Sequence, residues 1–218
     1  MWDERILFED AEALVIDKPA GLAVHPGPGT RESLEDYLGG LKLGFQRLPQ
    51  PVHRLDRDTS GCLLLARNPK AHKRFSQAFE AGIVEKRYLA IVEGVPKETE
   101  GRIELALSKM SSKAEGWRMV PDPGGKQAAT RWRLIETRGG RSALLLEPET
   151  GRTHQVRVHV AAGLGTAIVG DPVYGRATGP MLLHAWSMRI ERAGKQPIVA
   201  EAPLPPTFVQ AGFGDVSA

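Results

Sequence analysis

The chain has 218 residues, 41% hydrophobic and 25% charged, with a formal net charge of only +3 at pH 7. That length suffices for one sizeable catalytic domain, and so small a net charge does not by itself argue for a nucleic-acid partner. The single cysteine, Cys62, excludes a disulfide framework and a cysteine metal cluster; no 18-residue apolar run or basic-then-apolar leader occurs, so a soluble, cytoplasmic protein without a membrane partner is expected.

In chain order, residues 5–8 and 13–17 read as a hairpin around Asp10-Ala11-Glu12, with Pro19 and Gly21 ending the second strand. Residues 31–39 read as a helix. The apolar run Cys62-Leu63-Leu64-Leu65-Ala66 reads as a buried strand, and Cys62 within it as a core residue. Pro69–Ala81 predicts a helix with Asn68 as N-cap, Pro69 at the first helical position and Gly82 just past the end. It leads into a strand over 86–93. Residues 108–125 carry Lys109, Lys113 and Arg118, are followed by Lys126, and are broken by Pro121, Pro123, Gly124 and Gly125, which predicts a long, mobile basic loop. Residues 126–137 and 142–147 read as paired strands across Arg138-Gly139-Gly140-Arg141. For 153–162, Val156, Val158 and Val160 alternate as in a strand, but Thr153 and Gly163 sit where helix caps belong, and the helix is preferred. There His154 and Arg157 share a face and His159 points elsewhere. The sum is an α+β fold, a central mixed, largely antiparallel sheet with flanking helices, in one domain over 1–218.

Charge is uneven along the chain. Residues 53–87 hold eight Lys/Arg against four Asp/Glu, and residues 102–141 hold nine against four. Two basic segments on a mildly acidic body suit an RNA-docking face, where neutralising phosphates releases counterions. Ordinary solvated faces are the competing explanation.

The densest chemistry lies in His53-Arg54-Leu55-Asp56-Arg57-Asp58-Thr59-Ser60-Gly61, placed directly against the buried run. A carboxylate at the edge of an apolar strand is either paired with a cation or kept for chemistry, since burying it alone costs several kcal/mol. Asp56 and Asp58 are therefore the first candidates, against a plain turn built from Asp and Ser.

This segment resembles the active-site motif of RluA-type pseudouridine synthases, whose HRLD aspartate is the nucleophile. Further segments match that family in order: Lys18-Pro19-Ala20-Gly21 with His25-Pro26, Lys86-Arg87-Tyr88-Leu89-Ala90, Thr150-Gly151-Arg152-Thr153-His154-Gln155-Val156-Arg157-Val158-His159, Gly170-Asp171-Pro172-Val173-Tyr174-Gly175, and Leu182-Leu183-His184-Ala185. They cover roughly residues 13–190. The resemblance implies isomerisation of uridine to pseudouridine in structured RNA, a transfer-RNA or large-subunit ribosomal-RNA stem-loop, by a monomeric catalytic domain that lacks an N-terminal S4 RNA-binding domain. It assigns Asp56 as nucleophile, Arg157 as the cation keeping Asp56 ionised, Tyr88 as the ring stacking on uracil and aiding proton transfer, and Arg54 as the RNA-binding side chain that fills the space of the flipped base. No cofactor and no metal are called for; His154 and His159, five apart without a carboxylate between them, make an unconvincing metal pair.

Two readings from other classes compete. Asp56 and Asp58, two apart on an extended segment, could flank a glycosidic bond as the paired carboxylates of a glycosidase. The basic segments also allow a non-catalytic RNA-binding module. Neither accounts for the ordered motifs.

Overall fold

The computed structural model describes residues 2–27, 29–112 and 116–216. Its strands are β1 (Ile6–Glu9), β2 (Ala13–Lys18), β3 (Gln50–Pro51), β4 (Ser60–Ala66), β5 (Glu85–Glu93), β6 (Glu100–Glu104), β7 (Leu107–Ser112), β8 (Gly116–Pro121), β9 (Ala129–Arg138), β10 (Arg141–Pro148), β11 (Leu183–Ile190) and β12 (Ile198–Glu201); its α-helices are α1 (Pro69–Glu80), α2 (Gln155–Val158) and α3 (Pro206–Gln210). The fold is α+β with mostly antiparallel pairing. The chain divides into two compact units, residues 1–86 with 184–203, and residues 87–183 with 204–218.

In the first unit β1 and β2 form the expected hairpin, closed by Asp10, whose Oδ1 accepts from the Glu12 and Ala13 amides at 2.8 Å each. β2 runs antiparallel to β4, β11 lies parallel to β4, and β12 pairs antiparallel with β11. Every residue of β4 is buried, which is why Cys62–Ala66 reads as a continuous apolar run rather than an alternating one. Burial pushes the Cys62 thiol up to about 12, a core residue rather than a nucleophile. Gly61 has φ +107°, and a Cβ there would lie 2.2 Å from the Ala185 carbonyl oxygen, so only glycine lets β4 and β11 approach.

Helix α1 follows its sequence signals. The Asn68 side chain accepts from the Ala71 amide, Pro69 opens the helix, and Ala71, Phe75 and Ala78 face a core that includes Val15, Leu64, Met188 and Ile190. Their spacing of four and three is the apolar stripe of a surface helix, and burying Phe75 contributes about 1.5–3 kcal/mol. The helix expected over 31–39 is instead a single 3-10 turn, Leu34–Tyr37. Ser33 and Asp36 close a capping box at its start and Gly39-Gly40 follow at once, leaving room for one turn.

In the second unit the sheet order is β5-β10-β9-β6, all antiparallel. β9 and β10 are joined across Gly139-Gly140 as the sequence predicts. Ala90, Val92, Leu144, Leu146 and Trp132 pack against Val156 and Val160. Residues 108–125 are not the long loop expected. β7 and β8 pair from Leu107↔Pro121 to Ser112↔Gly116, and among the described residues of this span Asp122–Gly125 form an irregular return. The prolines and glycines that suggested a breaker sit at and after the end of β8. Leu107 packs with Ala128 and Val158, Met119 lies against them, and the Met119 amide donates to Tyr174 Oη at 3.0 Å. Lys113 lies outside the described residues. Among the described residues no helix is long and apolar enough to cross a membrane.

Candidate active site

The loop carrying Asp56 is held by its neighbours. His53 stacks on Phe79 with ring centroids 4.3 Å apart, and its Nε2 accepts from the Leu64 amide at 3.0 Å. Burial pushes this imidazole down to about 3, so the ring is neutral and carries its proton on Nδ1. Leu55 is buried, Asp56 is half-buried and Arg54 is exposed. The Thr59 amide donates to the Asp56 carbonyl at 3.1 Å, closing a turn at Arg57-Asp58. That turn is incompatible with the extended segment on which Asp56 and Asp58 would share a face, and Asp58 instead takes the Arg57 guanidinium, Nε to Oδ1 at 3.0 Å. The paired-carboxylate reading loses its geometry here.

Beneath the loop lies a lysine to which the sequence reading assigned no role. Lys18 ends β2 and is fully buried, and its Nζ donates to the carbonyls of Leu22 at 2.7 Å, Pro19 at 2.8 Å and Arg57 at 3.1 Å. Burial pushes this amine down to about 7, while the Asp58, Asp56 and Asp17 carboxylates pull it back up. Three carbonyl acceptors match the three protons of an ammonium, whereas a neutral amine would leave one unmet. Lys18 thus ties the Pro19–Leu22 turn to the loop after Asp56 and sets positive charge near that carboxylate. Its signal in the sequence was a lysine closing the otherwise apolar Ala13–Ile16 strand.

In the second unit, helix α2 starts after His154, which occupies the left-handed region at φ +52° and ψ +15°, a strained conformation for a side chain with a Cβ. His154 Nδ1 lies 3.0 Å from Tyr174 Oη. The same hydroxyl oxygen accepts the Met119 amide at 3.0 Å, so Tyr174 links β8 to His154. Trp117 of β8 stacks on the His154 ring, with centroids 5.0 Å apart. α2 continues as a π-helical turn over His159–Gly163, so the preference for helix over strand at 153–162 holds. His159 faces away, toward Thr130 Oγ1 at 2.9 Å and the Leu105 carbonyl at 3.2 Å.

Arg157 is 5% exposed and Asp171 is completely buried. The guanidinium grips the carboxylate with two bonds, Nε to Oδ2 at 2.7 Å and Nη2 to Oδ1 at 2.8 Å, and lies 5.2 Å from the Tyr174 ring centre. Burial alone would raise the Asp171 carboxyl, but Arg157 and the Val173 and Tyr174 amides hold it below its ordinary value. Gly170 sets the carboxylate's approach, with φ +76° and a Cβ position 2.1 Å from the Pro180 carbonyl oxygen. Neither Asp171 nor Tyr174 was given a role from sequence, although both stand in a segment quoted above.

Asp56 and Arg54 therefore belong to the first unit, Tyr88 and Arg157 to the second. Tyr88 sits on β5 opposite Leu146 and packs against the cluster containing Val156, beside Arg157 on α2. The basic stretch 102–141 is less cationic than its count suggests: Arg102 and Arg131 pair with Glu149, Arg138 with Glu136 and Asp215, and Arg141 with Glu93. Among the described residues no three His, Cys, Asp or Glu side chains are grouped to hold a metal ion.

A family model described as RNA pseudouridylate synthase matches residues 12–162. An RNA pseudouridine synthase of Zymomonas mobilis, named as uncharacterized, is 56% identical over 96% of this chain and 98% of its own length. The ribosomal large subunit pseudouridine synthase D of the same organism is 38% identical over 79% of this chain but only 56% of its own length. Among solved structures, human RNA pseudouridylate synthase domain containing 1 superposes with a TM-score of 0.76 at 28% identity, covering 93% of this chain and 85% of that one. The human domain-containing 4 protein reaches 0.81 at 24% identity, over 96% and 92%, a likeness of fold.

Proposed function

Because this chain belongs to the RNA pseudouridylate synthase family, an isomerase family acting on uridine in RNA, we propose that Asp56 is its nucleophile and that its substrate is a uridine in a structured transfer-RNA or large-subunit ribosomal-RNA stem-loop. The carboxylate adds to the flipped nucleoside, the bond from uracil N1 to ribose C1′ breaks, the base turns, and C5 bonds to C1′. The proton leaving C5 and the one taken up at N1 balance, and nothing is oxidised or reduced. The observation that supports this most is the setting of Asp56: a half-buried carboxylate on a loop pinned by His53 and Lys18, with a buried ammonium underneath. A carboxylate held in place on a partly exposed loop is positioned to act as a nucleophile.

Arg157, anchored by Asp171, is the catalytic cation, Tyr88 stacks on the uracil and moves the C5 proton, and Arg54 fills the gap the flipped base leaves. The enzyme works as a monomer in the cytoplasm, with RNA as partner and without a metal or organic cofactor. The test is tritium release from RNA labelled at uridine C5, with bulk unmodified transfer RNA and ribosomal RNA assayed separately and Asp56→Ala in parallel. Release by wild type alone supports the assignment and identifies the RNA class. Equal release by Asp56→Ala removes Asp56 from the chemistry, and bound RNA without release by either protein returns the non-catalytic module.

A further inference from the structure

We propose that the first unit carries a second ligand site, a cleft that takes a phosphorylated nucleoside, and that in the working enzyme this is an RNA nucleotide flanking the target uridine. The proposal rests on the reading of the chain as an RNA-modifying enzyme and adds a site that reading does not contain. The cleft has a volume of about 810 Å³ and is bounded by Trp2, Arg5, Gly21, Arg31, Tyr37 and Arg57. That is ample for a nucleotide, since pockets for small ligands run to roughly 300–1,000 Å³.

Its chemistry is one-sided. Three guanidiniums line it, and its one lining carboxylate, Glu32, is engaged by the Tyr37 hydroxyl. Arg5 gives Asp17 a single nitrogen, Nη1 at 2.9 Å. Arg57 uses Nε and Nη2 on Asp58 and keeps Nη1 in reserve on a side chain that is 66% exposed. Arg31 meets no carboxylate among the described residues. Guanidinium forks are the side chains best matched to phosphate oxygens. Against them stand two aromatic rings, Trp2 and Tyr37, with centroids 5.6 Å apart and tilted by 58°. A bare anion has no use for the rings and an apolar ligand none for the arginines. A phosphate attached to a base uses both, as on single-strand stacking surfaces.

The cleft is also joined to the nucleophile's loop. Arg57 follows Asp56 directly, and its carbonyl accepts both the Gly21 amide at 2.9 Å and Lys18 Nζ at 3.1 Å. One wall of the cleft and the segment presenting Asp56 are thus the same turn, so a nucleotide held there is a chain neighbour of the one delivered to Asp56.

The test uses the full chain and a fluorescently labelled stem-loop RNA that the wild type binds, with Arg31→Gln, Trp2→Ala and, as a control outside the cleft, Arg47→Gln. Arg31→Gln is expected to raise the Kd about five- to tenfold and to lower the slope of log affinity against log salt by about one. Trp2→Ala is expected to raise the Kd without changing that slope, and Arg47→Gln to change neither. In turnover, Arg31→Gln raises KM and keeps kcat. Millimolar adenosine or uridine 5′-monophosphate separates the sources: displacement of RNA from wild type but not from Arg31→Gln shows that the cleft also takes free nucleotides, and no displacement restricts it to the RNA strand. Wild-type Kd and slope in both Arg31→Gln and Trp2→Ala overturn the proposal even if pseudouridine forms. Loss of binding in these variants without any tritium release by the wild type upholds the cleft and overturns the isomerase reading instead.

Discussion

Arg157 and Asp171 form a buried, two-bond ion pair fourteen residues apart, with the carboxylate further held by the Val173 and Tyr174 amides. Such a pair is costly to break from one side, because the remaining charge stays buried. Asp171→Ala is expected to lose about 3–5 kcal/mol of unfolding free energy. Arg157→Met is expected to lose nearly all turnover and also some stability, since the amides compensate Asp171 only in part. The double variant Arg157→Met/Asp171→Leu should regain stability relative to Asp171→Ala while staying inactive. Urea unfolding and tritium release check this together, and full activity in Arg157→Met would remove that arginine from the site.

The ion pair marks the limit of what was legible in the chain. Arg157 could be named from its motif, but an arginine in sequence looks the same whether buried or solvated, and its partner lies beyond a π-helical turn. Elements with local causes were readable: the Asn68 cap and Pro69 define α1, and Gly139-Gly140 define the β9–β10 turn. Residues 108–125 were misread because their prolines and glycines were taken as loop signals. What decides that segment is non-local, namely β7 pairing with β8 and Met119 reaching Tyr174. Lys18 escaped notice for the same reason, since its three acceptors come from two separate turns.

Histidines shielded from water predict early acid sensitivity. His53 is pushed to about 3 and His184 to about 4, and His159 is also lowered, in each case first by burial. The His184 ring is held between Ser60 Oγ, 2.8 Å from Nδ1, and the Ala202 carbonyl, 3.4 Å from Nε2. With folded values below the unfolded 6.5, the unfolded chain binds more protons between them. Stability is complete above pH 6.5 and is lost as pH falls from there toward 4, by up to about 1.4 kcal/mol per pH unit for each histidine. The urea midpoint should drop clearly between pH 7 and pH 5, before most carboxylates titrate. An unchanged midpoint over that interval would contradict the burial assigned to these rings.

Lys18 predicts the opposite limb. Its folded value of about 7 lies below the unfolded 10.5, so the unfolded chain binds more protons between those values and stability gains from this residue as pH rises from 7 to 10.5. Turnover moves the other way, because the ammonium that holds the Pro19, Leu22 and Arg57 carbonyls is lost as pH rises. Lys18→Met should therefore show a smaller rise of unfolding free energy with pH than wild type across that window, and turnover reduced at every pH. Wild-type turnover in a folded Lys18→Met protein would make the lysine purely structural.

Arg54 is exposed on the loop that His53 and Leu55 anchor on either side, so its removal costs the fold little. Surface substitutions of this kind stay within about 0.5 kcal/mol. Arg54→Ala is accordingly expected to unfold at the wild-type urea concentration while binding stem-loop RNA or turning it over several-fold less well. The deficit should shrink for an RNA in which the target uridine is already unpaired, because extruding it no longer costs a few kcal/mol of unstacking. Equal deficits on paired and unpaired targets would make Arg54 a phosphate contact, and no deficit on either would take it out of RNA recognition altogether.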